Sequence, residues 1–179
     1  MRDLAEKWSV APDWQSALIT APGLVVRANS DLNQLLVSGD LDAWARVSGV
    51  DGTGAGAFGA TQGDRYAARL ARDRLLAISD GPLAIATGWH AAGFAVTAIS
   101  AGLQVFEAEG SALNAFIARG TTLDPSQASA SAALSFAGIS AVVYRHQASL
   151  RIHVDRGLAA YLWTWMEQAS RPVHQISQP

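Results

Sequence analysis

Three glycines, Gly54, Gly56 and Gly59 in the stretch GVDGTGAGAFGATQGD, have the G-x-G-x-x-G spacing that cradles a dinucleotide pyrophosphate. That chemistry needs a buried strand before the first glycine and a helix after the last, so that free N–H groups at the helix start meet the phosphates. Neither flank qualifies. The preceding residues, DLDAWARVSG, read as a short helix with Asp40 as N-cap, Leu41 and Trp44 on one face and Gly49 closing the end. The following residues, ATQGDRYAARL, contain Gly63 and lead into an alternating strand. The stretch is expected to be a flexible surface loop, and no cofactor-binding residue is assigned to it.

Other chemistries are equally sparse. With no cysteine, the chain has no disulfide, thiolate metal site or Cys nucleophile, and its four histidines have no partner at ligand spacing. Arg151, His153 and Asp155 alternate with Leu150, Ile152 and Val154, so they are expected on the polar face of one strand, solvated or turned to a partner. His90 lies in an uncharged run and is expected to be buried or at an interface. His146, in a loop, and His174, in the tail RPVHQISQP, are expected in solvent. Ser111 is expected to cap a helix. No catalytic and no metal-binding residue is assigned.

A chain of 179 residues, half of them apolar, suffices for one domain or two small halves sharing a core. The formal charge is −2, and the 13 basic residues form no cluster, which does not suit nucleic acid. The start MRDLAEKWSV carries early charges and no apolar core, so no secretory signal is expected and the cytoplasm is the expected location. Residues 81–106 contain no Asp, Glu, Lys or Arg, but Pro82, Gly88, His90, Gly93 and Gly102 interrupt the roughly 20 apolar residues that a spanning helix needs. A helix at 83–91 and a strand at 94–100 are expected instead, and a patch this apolar calls for a partner.

The elements repeat. LLAISDGPLAI, from Leu75, aligns without a gap on LRIHVDRGLAA, from Leu150, and QLLVSGDLDAWARVSG, from Gln34, resembles QVFEAEGSALNAFIARG, from Gln104. The offset is about seventy to seventy-five residues, the length of one supersecondary unit. Strands at 32–38, 65–70 and 74–79 with helices at 41–48 and 83–91 form one half. Strands at 94–100, 103–108, 139–145 and 150–154, a helix at 112–119 and a final helix form the other. That final helix carries Leu158, Tyr161, Leu162, Trp165 and Met166 on one face, as a buried stripe would. The expected fold is α+β: two tandem β-α-β-β-α halves (ferredoxin-like, split βαβ), as pseudo-repeats 24–91 and 94–169, with antiparallel sheet, helices packed on it and a tail at 170–179.

The order RYAARLARDRLLAI, uncharged segment, AVTAISAGLQVFEAEGSALNAFIARGTTLDP, AVVYR and LRIHVDRGLAAYLWTWMEQA resembles the gamma subunit of heterotetrameric sarcosine oxidase, within the folate-binding aminomethyltransferase-like superfamily. The likeness runs from about Leu24 to Ala169 and is most specific in RGTTLDP and the terminal strand and helix. It implies a structural subunit beside a large alpha subunit and the beta and delta subunits, with FAD, FMN, NAD and tetrahydrofolate bound in the other subunits. Folate-using relatives place an acid before the strand that matches 139–145, here near Ile139 and Ser140, yet no Asp or Glu occurs between Asp124 and Asp155. The Lys-Gly-Cys motif of the tRNA-modifying relatives is absent too. The resemblance thus implies a subunit without catalysis of its own, the alternative being a free-standing folate-binding protein. Interface candidates are Ile85, Trp89 and Phe94, with possible self-association of the isolated chain. Trp163, which falls outside the final helix's stripe, is a fourth, unless the N-terminal segment with Trp8 and Trp14 covers it.

Overall fold

Asp40 accepts a hydrogen bond from the Ala43 N–H at 2.8 Å, and Gly49 takes a left-handed φ of 70°, so helix α1 (Leu41–Ser48) starts and stops where those residue types direct it. Its apolar face, Leu41, Ala43 and Trp44, is buried on a sheet. The computed structural model describes residues 11–171. The hairpin of β1 (Leu18–Ala21) and β2 (Leu24–Asn29) comes first, then β3 (Asn33–Gly39), α1, β4 (Ala60–Thr61), β5 (Arg65–Ala71) and β6 (Arg74–Ser79). A second hairpin, β7 (Gly88–His90) and β8 (Phe94–Ala98), leads to β9 (Leu103–Glu109), α2 (Leu113–Gly120), β10 (Ala133–Phe136), β11 (Ile139–His146), β12 (Ser149–Asp155) and α3 (Ala159–Ala169).

The strands form two sheets. One has the order β1-β2-β9-β12-β11-β10, with β4 parallel beside β11, and the other has the order β5-β6-β3-β8-β7. In the second sheet β3 and β5, joined through α1, run parallel with antiparallel β6 between them. In the first, β9 and β11, joined through α2, flank antiparallel β12 in the same way. The hairpins cross over: β1–β2, which precedes β3, pairs with β9, and β7–β8, which precedes β9, pairs with β3. Neither sheet is therefore made from one continuous stretch of chain. Helices α2 and α3 cover the outer face of the first sheet around Phe106, Phe116, Ile117 and Leu162, while α1 covers the second around Trp44, Leu75 and Phe94. Between the sheets lie Tyr66, Leu76, Ile78, Val105 and Tyr144.

Several expectations change. Residues 83–91 form no helix, so the first half lacks the second helix of a β-α-β-β-α unit; β7 pairs with β8 as Gly88↔Val96, Trp89↔Ala95 and His90↔Phe94. A glycine inside a helix costs about 1 kcal/mol, and the β-branched Ile85 and Thr87 also favour extended backbone, so a hairpin wins. Only one side of β8, Phe94 and Val96, enters the core, and Ala and Thr fill the other. On α3 the buried residues are Ala159, Leu162, Trp163 and Met166, a stripe turned by one residue from the expected one, with Leu158 and Tyr161 exposed. Strands β1, β2, β4 and β10 lie outside the expected set. No described helix is long and apolar enough to cross a membrane.

The glycine stretch is a packed clip, not a flexible loop. Ala57 and Phe58 are buried, the Ala55 N–H donates to the Ala67 carbonyl at 2.8 Å, and the Ala57 N–H donates to the Ser131 carbonyl at 2.8 Å. The stretch so joins β5 of one sheet to the segment before β10 of the other. A Cβ on Gly56 would stand 1.5 Å from the Ser129 carbonyl oxygen, whereas one on Gly81 would meet open space. In urea unfolding, Gly56→Ala is expected to lose more than about 2 kcal/mol, and Gly81→Ala to stay within about 0.5 kcal/mol. Equal, small losses would mean the clip is not packed as described.

Candidate functional site

Strand β12 alternates strictly. Leu150, Ile152 and Val154 point to the helix layer, so Arg151 and His153 point the other way, where the second sheet lies. A sheet with one wet face would leave them in water. Here they are only 7% and 1% exposed, and their polar atoms must find partners inside the protein.

They do so along one directed chain. Arg151 Nε donates to Glu107 Oε1 at 2.8 Å, and Arg151 Nη1 donates to the Tyr66 hydroxyl. The Tyr66 and Tyr144 hydroxyls are 3.3 Å apart, Tyr144 Oη is 2.7 Å from His153 Nε2, and His153 Nδ1 is 2.6 Å from Gln34 Oε1. Gln34 Oε1 can only accept, so the histidine proton sits on Nδ1 and Nε2 accepts from Tyr144. Tyr144 has then spent its proton, so Tyr66 donates to it while accepting from Arg151. Every link crosses between sheets or joins neighbours in the layer between them: Tyr66 and Gln34 belong to one sheet, and Glu107, Tyr144, Arg151 and His153 to the other.

The electrostatics follow from burial. Desolvation, reinforced by the Arg151 charge, lowers the pKa of His153 to about 3, so the ring is neutral at physiological pH. Desolvation, with the Glu107 charge, raises Tyr144 well above the usual phenol value. Desolvation and then the neighbouring Arg27 charge lower Arg151 to about 10, which leaves it protonated beside Glu107. Glu107 also accepts from Arg27 Nε on Oε2 and from Asn29 Nδ2 on Oε1, each at 3.0 Å. The seam opens at this end into a cavity of about 570 Å³, whose lining includes Trp14, Arg27, Asp31, Asp80, Glu107 and Arg151. As a catalytic device the seam is poorly disposed: both His153 nitrogens are engaged, and no group of three or more His, Asp or Glu residues able to hold a metal occurs among the described residues.

The expected polar edge of Arg151, His153 and Asp155 is thus split. The first two are buried between sheets, and only Asp155 is exposed, where it accepts from the Gly157 N–H at 2.8 Å. His146 is buried, not solvated: its ring stacks on Tyr66 at 4.4 Å and its Nδ1 lies 2.9 Å from Thr61 Oγ1, with desolvation lowering its pKa. His90 is half-buried, stacked on Phe94 at 4.5 Å, and His174 lies outside the described residues. Ser111 does not cap α2, whose N-cap position is Ala112; Ser111 instead packs against Gly23. Gly54, Gly56 and Gly59 follow a helix and precede the short β4, without the strand and helix of a dinucleotide turn.

Of the interface candidates, Trp89 is 74% exposed on the edge strand β7, and Ile85 is half-buried against the core under α1. Phe94 is fully buried under Trp44, at a ring distance of 5.8 Å, and Trp163 is 4% exposed beneath Trp14, at 5.8 Å, so neither presents its ring to a partner. Trp8 lies outside the described residues. Ser140, where folate-using relatives carry the acid, is exposed at the start of β11. Gln34, Tyr66, Glu107 and Tyr144 carry the seam without having stood out in the sequence. The alternation of β3, β5, β9 and β11 put each on a definite face, but only a second sheet makes that face an interior.

Because His153 binds its proton less readily folded than unfolded, the unfolded chain holds the extra proton between pH 6.5 and about pH 3. Stability therefore falls as pH drops through that window, by up to about 1.4 kcal/mol per unit. Between pH 7 and 5 the wild type is expected to lose about 2 kcal/mol more than His153→Gln in urea unfolding. Equal losses would place the ring in water.

No family model and no curated protein matches the sequence. Among solved structures, the fold is similar to a chain of the heterotetrameric sarcosine oxidase from Corynebacterium sp. U-96, solved in complex with pyrrole 2-carboxylate. The TM-score is 0.66 at 17% identity, over 86% of this chain and 86% of that one. Equal coverage makes the two chains of similar length. The chain therefore has the fold of a comparably small chain of a sarcosine oxidase, a fold that this sequence reaches with little residue identity.

Proposed function

We propose that the chain is a non-catalytic structural subunit, of the gamma type, in a sarcosine-oxidase-like flavoenzyme. The observation that carries this reading is the likeness, over 86% of each, to a similarly short chain of such an enzyme. Its partners would be a large alpha subunit together with beta and delta subunits. FAD, FMN, NAD and tetrahydrofolate would be held there, and the assembly would oxidise the N-methyl group of sarcosine to give glycine, hydrogen peroxide and a one-carbon unit for tetrahydrofolate.

Two features of this chain support a structural role. The buried polar groups satisfy one another across the sheets, which fixes a rigid body and leaves no activated nucleophile among them. No carboxylate occurs between Asp124 and Asp155, where a folate-using relative needs one. The uncharged hairpin β7–β8 provides the docking edge: Trp89, paired with Ala95, stands in solvent, and such an aromatic is a typical anchor.

The tagged chain, purified from its own organism, is expected to bring down a larger flavin-containing subunit and sarcosine-dependent peroxide formation. Trp89→Asp should abolish that co-purification while changing the stability of the free chain by less than about 1 kcal/mol, since an exposed side chain has few contacts to lose. A chain that purifies alone and binds tetrahydrofolate with micromolar affinity would contradict the reading and identify a free-standing folate binder.

A further inference from the structure

At the open end of the seam, one carboxylate holds two arginines. Glu107 takes Arg151 Nε on one oxygen and Arg27 Nε on the other, at 2.8 and 3.0 Å. Arg27 Nη1 goes to Glu109 at 3.3 Å and Arg151 Nη1 to Tyr66, so each guanidinium has its Nη2 left without an acceptor among the described residues. Trp44 Nε1 is the one fully buried side-chain donor found without a partner there. Arg151 is itself part of the cavity lining, with 9% of its side chain left accessible. Both arginines line that cavity, Arg151 buried at its floor and Arg27 half-exposed at its wall. With both Nε groups on the one carboxylate, two like charges are held close together at the cavity.

The rest of the lining has the opposite sign and a different place. Asp31 and Asp80 are exposed at the rim, and Trp14 and Leu32 supply apolar wall. Two positive groups stand against three negative ones, counting Glu107, so the cavity has a net charge of −1. A dianion such as phosphate would add to that excess. A molecule with an anionic end for the floor and a cationic end for the rim adds nothing to it, and about 570 Å³ lies within the range of small-molecule sites. We propose that this cavity binds a free amino acid, its carboxylate on the Nη2 groups of Arg27 and Arg151 and its ammonium toward Asp31 and Asp80. Glu107 is then a positioning residue that keeps both guanidinium forks facing the ligand.

The inference does not rest on the assembly reading, since it concerns the isolated chain. Titration calorimetry on the full chain would use glycine, L-leucine and L-phenylalanine as probes. 3-Phenylpropionate would supply the carboxylate alone, phenethylamine the ammonium alone, and inorganic phosphate an unrelated anion. At least one amino acid is expected to bind with a submillimolar dissociation constant, with the single-charge analogues at least roughly tenfold weaker. Arg27→Gln, which spares the buried Arg151–Glu107 pair, and Asp80→Asn, at the exposed rim, should each weaken binding roughly tenfold without moving the thermal midpoint. The proposal fails if no amino acid binds, if phosphate alone binds, if 3-phenylpropionate binds as tightly as L-phenylalanine, or if Arg27→Gln leaves the affinity unchanged.

Discussion

The contact on which the rest of the structure depends is the buried ion pair of Glu107 and Arg151, extended through two tyrosines to His153 and Gln34. Two sheets that face each other through apolar residues alone can slide or twist with little penalty. A chain of hydrogen bonds with only one consistent direction cannot, because a shift of one residue would leave several buried donors and acceptors unpaired. A buried ion pair adds little net stability against an apolar replacement of equal shape, and Glu107 and Arg151 sit on neighbouring strands of one sheet, so the pair's contribution here is to hold the Arg151 fork toward Tyr66, where the links to the other sheet begin. Removing one partner alone is a different matter, since it strands the other charge.

Connectivity reinforces the same constraint. Because β1–β2 completes the sheet built on β9, and β7–β8 completes the sheet built on β3, unfolding either half exposes an edge of the other. The glycine clip adds a third tie between the sheets, through Ala55 and Ala57. The two halves thus form one mechanical body with helices on both outer faces. An assembly could build on such a body without deforming it.

Much of this was legible in the sequence wherever local chemistry decides. Asp40 and Gly49 bounded α1, and the β5–β6 and β11–β12 pairs showed in their period of two. The self-similarity of Gln34 and Gln104 marked the two central strands, β3 and β9. What escaped was set by tertiary context. The alternation of Arg151 and His153 gave them a common face but not what covers it, and a polar face covered by a second sheet reads like one in water. Trp163 read as a surface residue because Trp14, which covers it, lies about 150 positions earlier. Residues 83–91, which end in β7, read as a helix because the lack of charge suggested an element buried on more than one face, while β8 read as the strand it is; alanine, threonine and glycine leave the hairpin uncharged while Trp89 stays in solvent. The cavity could not be foreseen at all, since its lining comes from five separate segments of the chain.

If the seam sets the register of the sheets, its members must be coupled in energy as well as adjacent. Tyr66 on β5 and Arg151 on β12 form the link between the ionic end and the tyrosine pair, and each belongs to a different sheet. A double-mutant cycle of Tyr66→Phe and Arg151→Met, read by urea unfolding at neutral pH, measures that link directly. A coupling energy of at least about 1 kcal/mol is predicted; single losses that add to within about 0.3 kcal/mol would show that the two sheets are held by apolar packing alone.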